Sequence, residues 1–285
     1  MKNIFKTIGL LSLICFSFFY TDKTVTVVKN QDPIMIKIMT EQEKYFVEPI
    51  SAIKSGNTIT PGLNGKKIDV EKSYNSMKKM GTYNSNLLQF TSIYPDISIF
   101  DNYNFYISLS PLSKNKVSLI FKVKSDDNID DIIKLANTKN IAFNFFVDST
   151  WLNNNTSKLK LIANNNVYNY GFNGKYTKDV LLINNNIINK LSNNKSLYCY
   201  SEIENKDILK LCSDNKMHTI IPSVITKNNP YSSIKNNLQS GSIISFDIND
   251  NNIKQLNVIV DYIIQKGYDI ITLSDLLDED NDNDD

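Results

Sequence analysis

Histidine is almost missing from this chain: His218 is the single one in 285 residues. One imidazole cannot supply two zinc ligands and a general acid, so a histidine-dependent zinc hydrolase is excluded on that count alone. His218 lies in MHTIIPSV, at the start of a predicted core strand, and is expected to be a strand-edge or satisfied core residue. Cysteine is scarce as well, with three residues. Cys15 falls in an amino-terminal apolar run, and Cys199 and Cys212 do not make a disulfide framework, although they could pair. Cys199 has no histidine nearby in sequence to act as its base. No GxSxG elbow, HExxH, P-loop or GxGxxG occurs. An excess of one charge is also lacking, since Lys+Arg 31 against Asp+Glu 30 leaves a net charge of +1. Nucleic acids attract clustered positive charge, so no nucleic-acid partner is expected.

A composition of 41% hydrophobic and 11% aromatic residues fits a folded extracellular domain. Lys2 and Lys6 precede an apolar and small-polar run over 8–20, extended at its start by Ile4 and Phe5. The run is short for a spanning helix. Its exit, Phe18, Phe19 and Tyr20, offers no small residue for signal cleavage. An uncleaved anchor over 4–20 is therefore expected, with the bulk of the chain on the extracellular face of the cell membrane. Secretion after cleavage is the alternative. Lipidation at Cys15 is disfavoured by Ile14, which stands where such signals want a small residue.

Residues 1–30 are thus assigned to anchor and linker, and 31–115 to a small mixed α+β region of unknown role. That region reads as strand-like in PIMIKIM, with Pro-Gly and Asn-Gly turns in TITPGLNGKKID reversing the chain between short strands, and a short helix over 73–80. From residue 116 strand and helix patterns alternate as in βα units, with parallel strands covered by helices. Strands are predicted near 117–123, 142–147, 167–170, 197–200, 219–224, 242–246 and 269–273. The clearest helix is 252–265, where Ile253, Leu256, Val260, Ile263 and Ile264 form an apolar face and Gly267 stops it. Ser274 is read as the cap of a last helical turn. Asn153 to Asn155, Asn164 to Asn166 and Asn184 to Asn186 fall at helix edges or solvated faces. Residues 279–285 read as a disordered acidic tail without the spacing of a calcium loop.

Three stretches carry a resemblance. KVSLIFKVKSDD at 116–127 and IAFNFFVDSTWL at 141–152 match two opening strands; GSIISFD at 241–247, a helical run, and KGYDIITLSDLL at 266–277 match a closing strand, helix and strand. In these the segment 116–278 resembles the polysaccharide deacetylase domain (NodB homology, carbohydrate esterase family four). The resemblance implies an α/β architecture, a distorted or incomplete (β/α) barrel, and a groove at the carboxyl ends of its strands. It also implies that Cys199 ends a strand and Cys212 lies in the next helix, as two separate core thiols.

The family's chemical groups are replaced one by one. Its TFDDG motif, with a base and a metal-binding aspartate, aligns with Ile120, Phe121, Lys122, Val123 and Lys124; an ammonium has no lone pair for a cation. Asp126 and Asp127 could substitute only by a slide of several residues, and Asp127 with Asp130 and Asp131 reads more simply as an acidic helix start. The NHGYSH-like motif aligns with Asn169, Tyr170, Gly171, Phe172, Asn173 and Gly174, so both histidine ligands become Tyr170 and Gly174. The arginine of RPPYG aligns with Tyr198, and the late general-acid histidine with Asp247, or with Phe246 after a one-residue shift.

No catalytic residue, metal ligand or cofactor is therefore assigned. Trp151, Tyr170, Phe172, Tyr198 and Tyr200 could line the groove, with core packing expected for at least half of them. Tyr170, Tyr198 and Asp247 are the candidate substrate-binding residues. The favoured reading is a membrane-anchored, non-catalytic deacetylase-like protein that binds cell-wall or capsule glycan or a partner. The alternatives are a deacetylase of an acetylated glycan working through Asp126, Asp127 and Asp247, and a purely structural envelope protein.

Overall fold

The computed structural model describes residue 17 and residues 29–111, 115–162, 165–192 and 194–280. The run expected to form an anchor lies, Ser17 apart, outside the described residues, as do residues 281–285. Among the described residues no helix is long and apolar enough to cross a membrane.

In chain order the elements begin with α1 (Pro33–Tyr45), β1 (Ile53–Ser55), β2 (Thr58–Thr60), β3 (Gly65–Ile68), α2 (Val70–Lys78), β4 (Phe90–Ile93) and β5 (Tyr106–Ile107). There follow β6 (Lys116–Val123), α3 (Asp130–Lys139), β7 (Asn144–Val147), α4 (Ser149–Asn154), β8 (Asn166–Asn169), α5 (Lys178–Leu191), β9 (Tyr198–Tyr200) and α6 (Lys206–Asp214). The chain closes with β10 (His218–Ile220), β11 (Val224–Thr226), α7 (Pro230–Asn237), β12 (Ile243–Asp247), α8 (Asp250–Gln265), β13 (Asp269–Ile270) and α9 (Leu273–Leu277). The described residues divide into two compact units, one holding those up to Pro49 and Asn64–Ile93, the other Ile50–Leu63 and those from Tyr94 onward. The division does not fall at residue 116, because β1, β2 and β5 join the sheet of β9 and β10.

In the smaller unit α1 corrects the strand expected in PIMIKIM. Asp32 caps it by accepting the Ile34 N–H at 2.8 Å, and Pro33 takes the first turn, where its missing N–H costs nothing. Ile34, Met35 and Ile38 are then buried at helical spacing with Ile68, Tyr74, Met77 and Leu88. The expected reversal between the strands of TITPGLNGKKID is also corrected. β2 is hairpinned to β1 across Gly56, which has a φ of 57°, while β3 pairs antiparallel with β4.

The larger unit is α/β, with its strands in two sheets and no closed barrel. One runs β1-β2-β5-β10-β9; the other runs β11-β12-β6-β7-β8, with β13 against β6. β6 is buried along seven of its eight residues, which is why it reads as an unbroken apolar run. Its alternate faces serve two cores: Val117, Leu119, Phe121 and Val123 pack under the helices, and Ile120 packs inside with Phe146, Tyr168 and Tyr200. The strand expected over 219–224 is two strands, β10 and β11, in different sheets. Pro222, which has no N–H to give a ladder, lies between them. The helix predicted over 252–265 forms as α8, capped by Asn249, with Ile264 turned outward. Thr272, not Ser274, caps α9, accepting the Asp275 N–H at 3.1 Å.

Two further expectations change. Cys199 points away from Tyr198 and Tyr200, toward α6, and is disulfide-bonded to Cys212, with Cα atoms 6.4 Å apart; the pair is not two separate thiols. Breaking it, by reductant or by Cys212→Ala, is expected to cost about 2 kcal/mol, read as a lower urea midpoint than that of the oxidised protein. Glu279, expected in a solvated tail, is 1% exposed. Its carboxylate accepts the N–H of Gly62 at 2.9 Å and of Ile99 at 3.1 Å, and the Ser98 hydroxyl donates to it.

Candidate functional site

The carboxyl ends of β6, β8, β9 and β12 place Lys122, Tyr170, Tyr200, Glu202 and Asp247 together. Parallel register makes Lys122 and Asp247 direct neighbours across β6 and β12. The Lys122 ammonium pairs with Glu202 and lies 3.1 Å from Asp247 Oδ1, although its side chain is 2% exposed. It also sits 5.7 Å from the centre of the Tyr200 ring. The Lys124 ammonium reaches the same Asp247 oxygen at 3.1 Å from the exposed side. Burial raises the Asp247 carboxyl, but the Lys122 and Lys124 charges outweigh that and hold it below the usual carboxylate range. Nearby Asp127 is shifted the other way by burial, opposed by the Lys124 N–H that it accepts.

The loop after β8 carries Tyr170 and Gly174, the two positions that the resemblance aligns with a pair of histidines. Phe172 and Lys175 bridge across Asn173 and Gly174, which have φ of 49° and 75°, a two-residue turn suited to Asn-Gly. A Cβ at Gly174 would meet the Tyr170 hydroxyl at 3.0 Å, so the phenol occupies the space a side chain at 174 would need. Burial, with the charges of Glu202, Asp247 and Asp148, pushes the Tyr170 phenol up to about 12. It is therefore neutral at pH 7 and a poor metal ligand. The loop is held from below by Asp148, whose Oδ1 accepts the Thr150 and Trp151 N–H at 2.9 Å each and whose Oδ2 accepts the Asn173 N–H at 3.1 Å.

The three sequence-named binding residues separate. Asp247 stands in the mouth, whereas Phe246, the alternative in that slot, stacks on Phe121 at 5.1 Å in the helix-side core. Tyr170 is half-buried at the rim, edge-on to Tyr200 at 5.6 Å. Tyr198 is corrected: it is 5% exposed and packs one layer deeper against Tyr168 and His218. Residues two apart on a strand share a face but not a depth; Tyr200 lies nearer the mouth than Tyr198 but is itself 2% exposed, its hydroxyl 2.8 Å from Ser245 Oγ. Trp151 is buried under the helices, its Nε1 donating to the Asp127 carbonyl. Phe172 is exposed. Glu202 escaped the sequence reading. Its signal was its place two residues past the end of β9, at the same end of the parallel strands as the other groups in the mouth.

A divalent cation does not fit these residues. An ammonium occupies the centre of the carboxylates, Val123 is turned into the helix-side core, and a glycine and a neutral phenol hold the histidine positions. Among the described residues no three His, Cys, Asp or Glu side chains converge as a metal site.

No protein-family model matches the chain. The architecture is nonetheless that of the family 4 carbohydrate esterases. Bacillus anthracis BA3943, a family 4 pseudoenzyme, superposes with a TM-score of 0.65 at 22% identity, over 88% of this chain and 97% of that one. Bacillus subtilis PdaA, a family 4 carbohydrate esterase, superposes with a TM-score of 0.53 at 16% identity, over 81% and 97%. The uncharacterized Bacillus subtilis protein YlxY is 22% identical over 277 residues, covering 90% of this chain and 87% of its own length.

Proposed function

We propose that this chain is a non-catalytic, deacetylase-like protein of the cell envelope whose groove binds glycan. The observation that carries the reading is Lys122: the centre of the mouth holds an ammonium paired with Glu202 and Asp247, where a deacetylase of this fold needs a Lewis acid and its bound water. Likeness to the pseudoenzyme BA3943 supports it. A BA3943 mutant has restored enzymatic activity, so in that protein the fold outlasted the chemistry. The Cys199–Cys212 disulfide supports an oxidising compartment outside the cytosol. Retention at the outer face of the membrane through 4–20 belongs to the same proposal. A groove edged by Tyr170, Asp247 and Glu202, with Tyr200 buried beneath it, offers an aromatic face and acceptors of the kind sugar rings use.

Two measurements test this. Purified protein dialysed against zinc is expected to retain no stoichiometric metal and to release no acetate from acetylated chito-oligosaccharides or peptidoglycan; either positive result would refute the reading. In a pull-down with peptidoglycan or a titration with chito-oligosaccharide, Tyr170→Ala is expected to weaken binding about fivefold, the equivalent of roughly 1 kcal/mol for one lost ring contact. Unchanged binding by that variant would leave the groove without a role.

A further inference from the structure

The groove keeps a positive charge at its centre although it has no metal-binding set. Burying an ammonium is costly unless it is paired, and removing one partner of such a pair leaves an uncompensated charge behind. Here one ammonium, on β6, is shared by carboxylates that follow β9 and end β12, so a single side chain ties three strand mouths. We infer that Lys122 is a tethered cation that takes the place of a diffusible one, and that its ammonium is what denies Glu202 and Asp247 to metal ions. The mouth is thus a latent divalent-cation site closed by one lysine. The inference rests on the metal-free reading of the groove and deepens it.

The donor set left on removing Lys122 is made of oxygens. Glu202 and Asp247 supply carboxylates that are 40% and 34% exposed. Hard oxygen donors of this kind suit manganese or calcium better than zinc. Lys124 holds Asp247 from solvent, but its own side chain is 52% exposed, and an exposed ion pair of that kind competes weakly. With Lys122 in place Glu202 and Asp247 are both paired, so a neutral sugar meets neither as a bare carboxylate, and the groove keeps its shape whatever the cation supply outside the cell.

The test compares manganese binding by wild-type protein, Lys122→Ala and Lys122→Met, read by the loss of the free-ion electron paramagnetic resonance signal and by thermal melting with and without the ion. Lys122→Met fills the stem's volume over Tyr200 and serves where the alanine variant does not fold. The expected result is binding at least about tenfold tighter in either variant than in wild type, the equivalent of roughly 1.4 kcal/mol, with a manganese-dependent rise in melting temperature that the wild type lacks. Adding Glu202→Gln should abolish the gain. No gain in either variant, or a gain that survives Glu202→Gln, overturns the inference alone. Stoichiometric uptake by the wild type overturns the metal-free reading with it.

Discussion

Asp148→Ala is expected to lower the stability of the larger unit by about 3 kcal/mol, because one buried and two part-buried N–H groups lose their acceptor at once and an unsatisfied buried donor costs about 1–3 kcal/mol. Asp148 is fully buried, and among the described residues it makes no ion pair. Its charge is met by the Thr150 and Trp151 amides on one oxygen and the Asn173 amide on the other. One carboxylate therefore caps α4 and fixes the turn that sets the Tyr170 ring over Gly174. In a domain of this size the loss corresponds to a fall in melting temperature on the order of 10 °C. Asp148→Asn is expected to cost about half as much, since its oxygen keeps the cap while its amide group faces the Asn173 N–H as a second donor. Urea unfolding of both variants checks the order. An alanine variant within about 1 kcal/mol of wild type would show that the turn is held by something else.

Acid sensitivity centred on His218 is the second large effect. The imidazole is 3% exposed and stacks on Tyr103 at 4.5 Å, with Phe100 and Tyr198 rings at 6.1 Å each. Both of its nitrogens are buried without a hydrogen-bond partner among the described residues, so the core histidine is not a satisfied one. Burial lowers its pKa from 6.5 to about 4. Below pH 6.5 the unfolded chain takes up a proton that the folded chain refuses, so stability falls with pH from there down to about 4 and then levels. At about 1.4 kcal/mol per pH unit the loss amounts to roughly 3 kcal/mol. Carboxylates also titrate at the lower end of this window, with Asp247 and Asp127 shifted in opposite directions, so the wild-type curve does not isolate the histidine. His218→Phe does, because it keeps a ring among rings and has nothing to protonate. The variant is expected to lose the slope between pH 6.5 and 4.5 in chemical denaturation. A variant that keeps the full slope would place the proton uptake elsewhere.

The parallel half of the fold was legible because its signals are local. β6 and β12 are apolar runs, α8 has a helical stripe, and glycines mark the turns. The extent of the larger unit was not, since β1, β2 and β5 are two or three residues long and join β10 only through contacts distant in sequence. PIMIKIM misled because its three isoleucines, at 34, 36 and 38, alternate, while the deciding cap, Asp32 before Pro33, stands just outside it. In the mouth, the places of Lys122 and Asp247 near the ends of two apolar strands could be read from the sequence. Their partners could not. Glu202 is invisible as a partner of Lys122 until β9 and β6 are brought side by side, and a two-residue period does not say whether Tyr198 or Tyr200 lies nearer the opening. Cys199 and Cys212 were readable as a strand and a helix residue, but not as facing one another. Glu279 was hidden among neighbours of its own kind, between Asp278 and Asp280 in an acidic run.

That buried carboxylate orders events in time. Its partners at Gly62 and Ile99 precede it by 217 and 180 residues, so during synthesis those two amides wait for all the intervening chain to emerge. Until then the segment around Gly62 and the turn at Ser98 have no acceptor to close on, and the nascent protein is held short of its final packing by a residue that has yet to arrive.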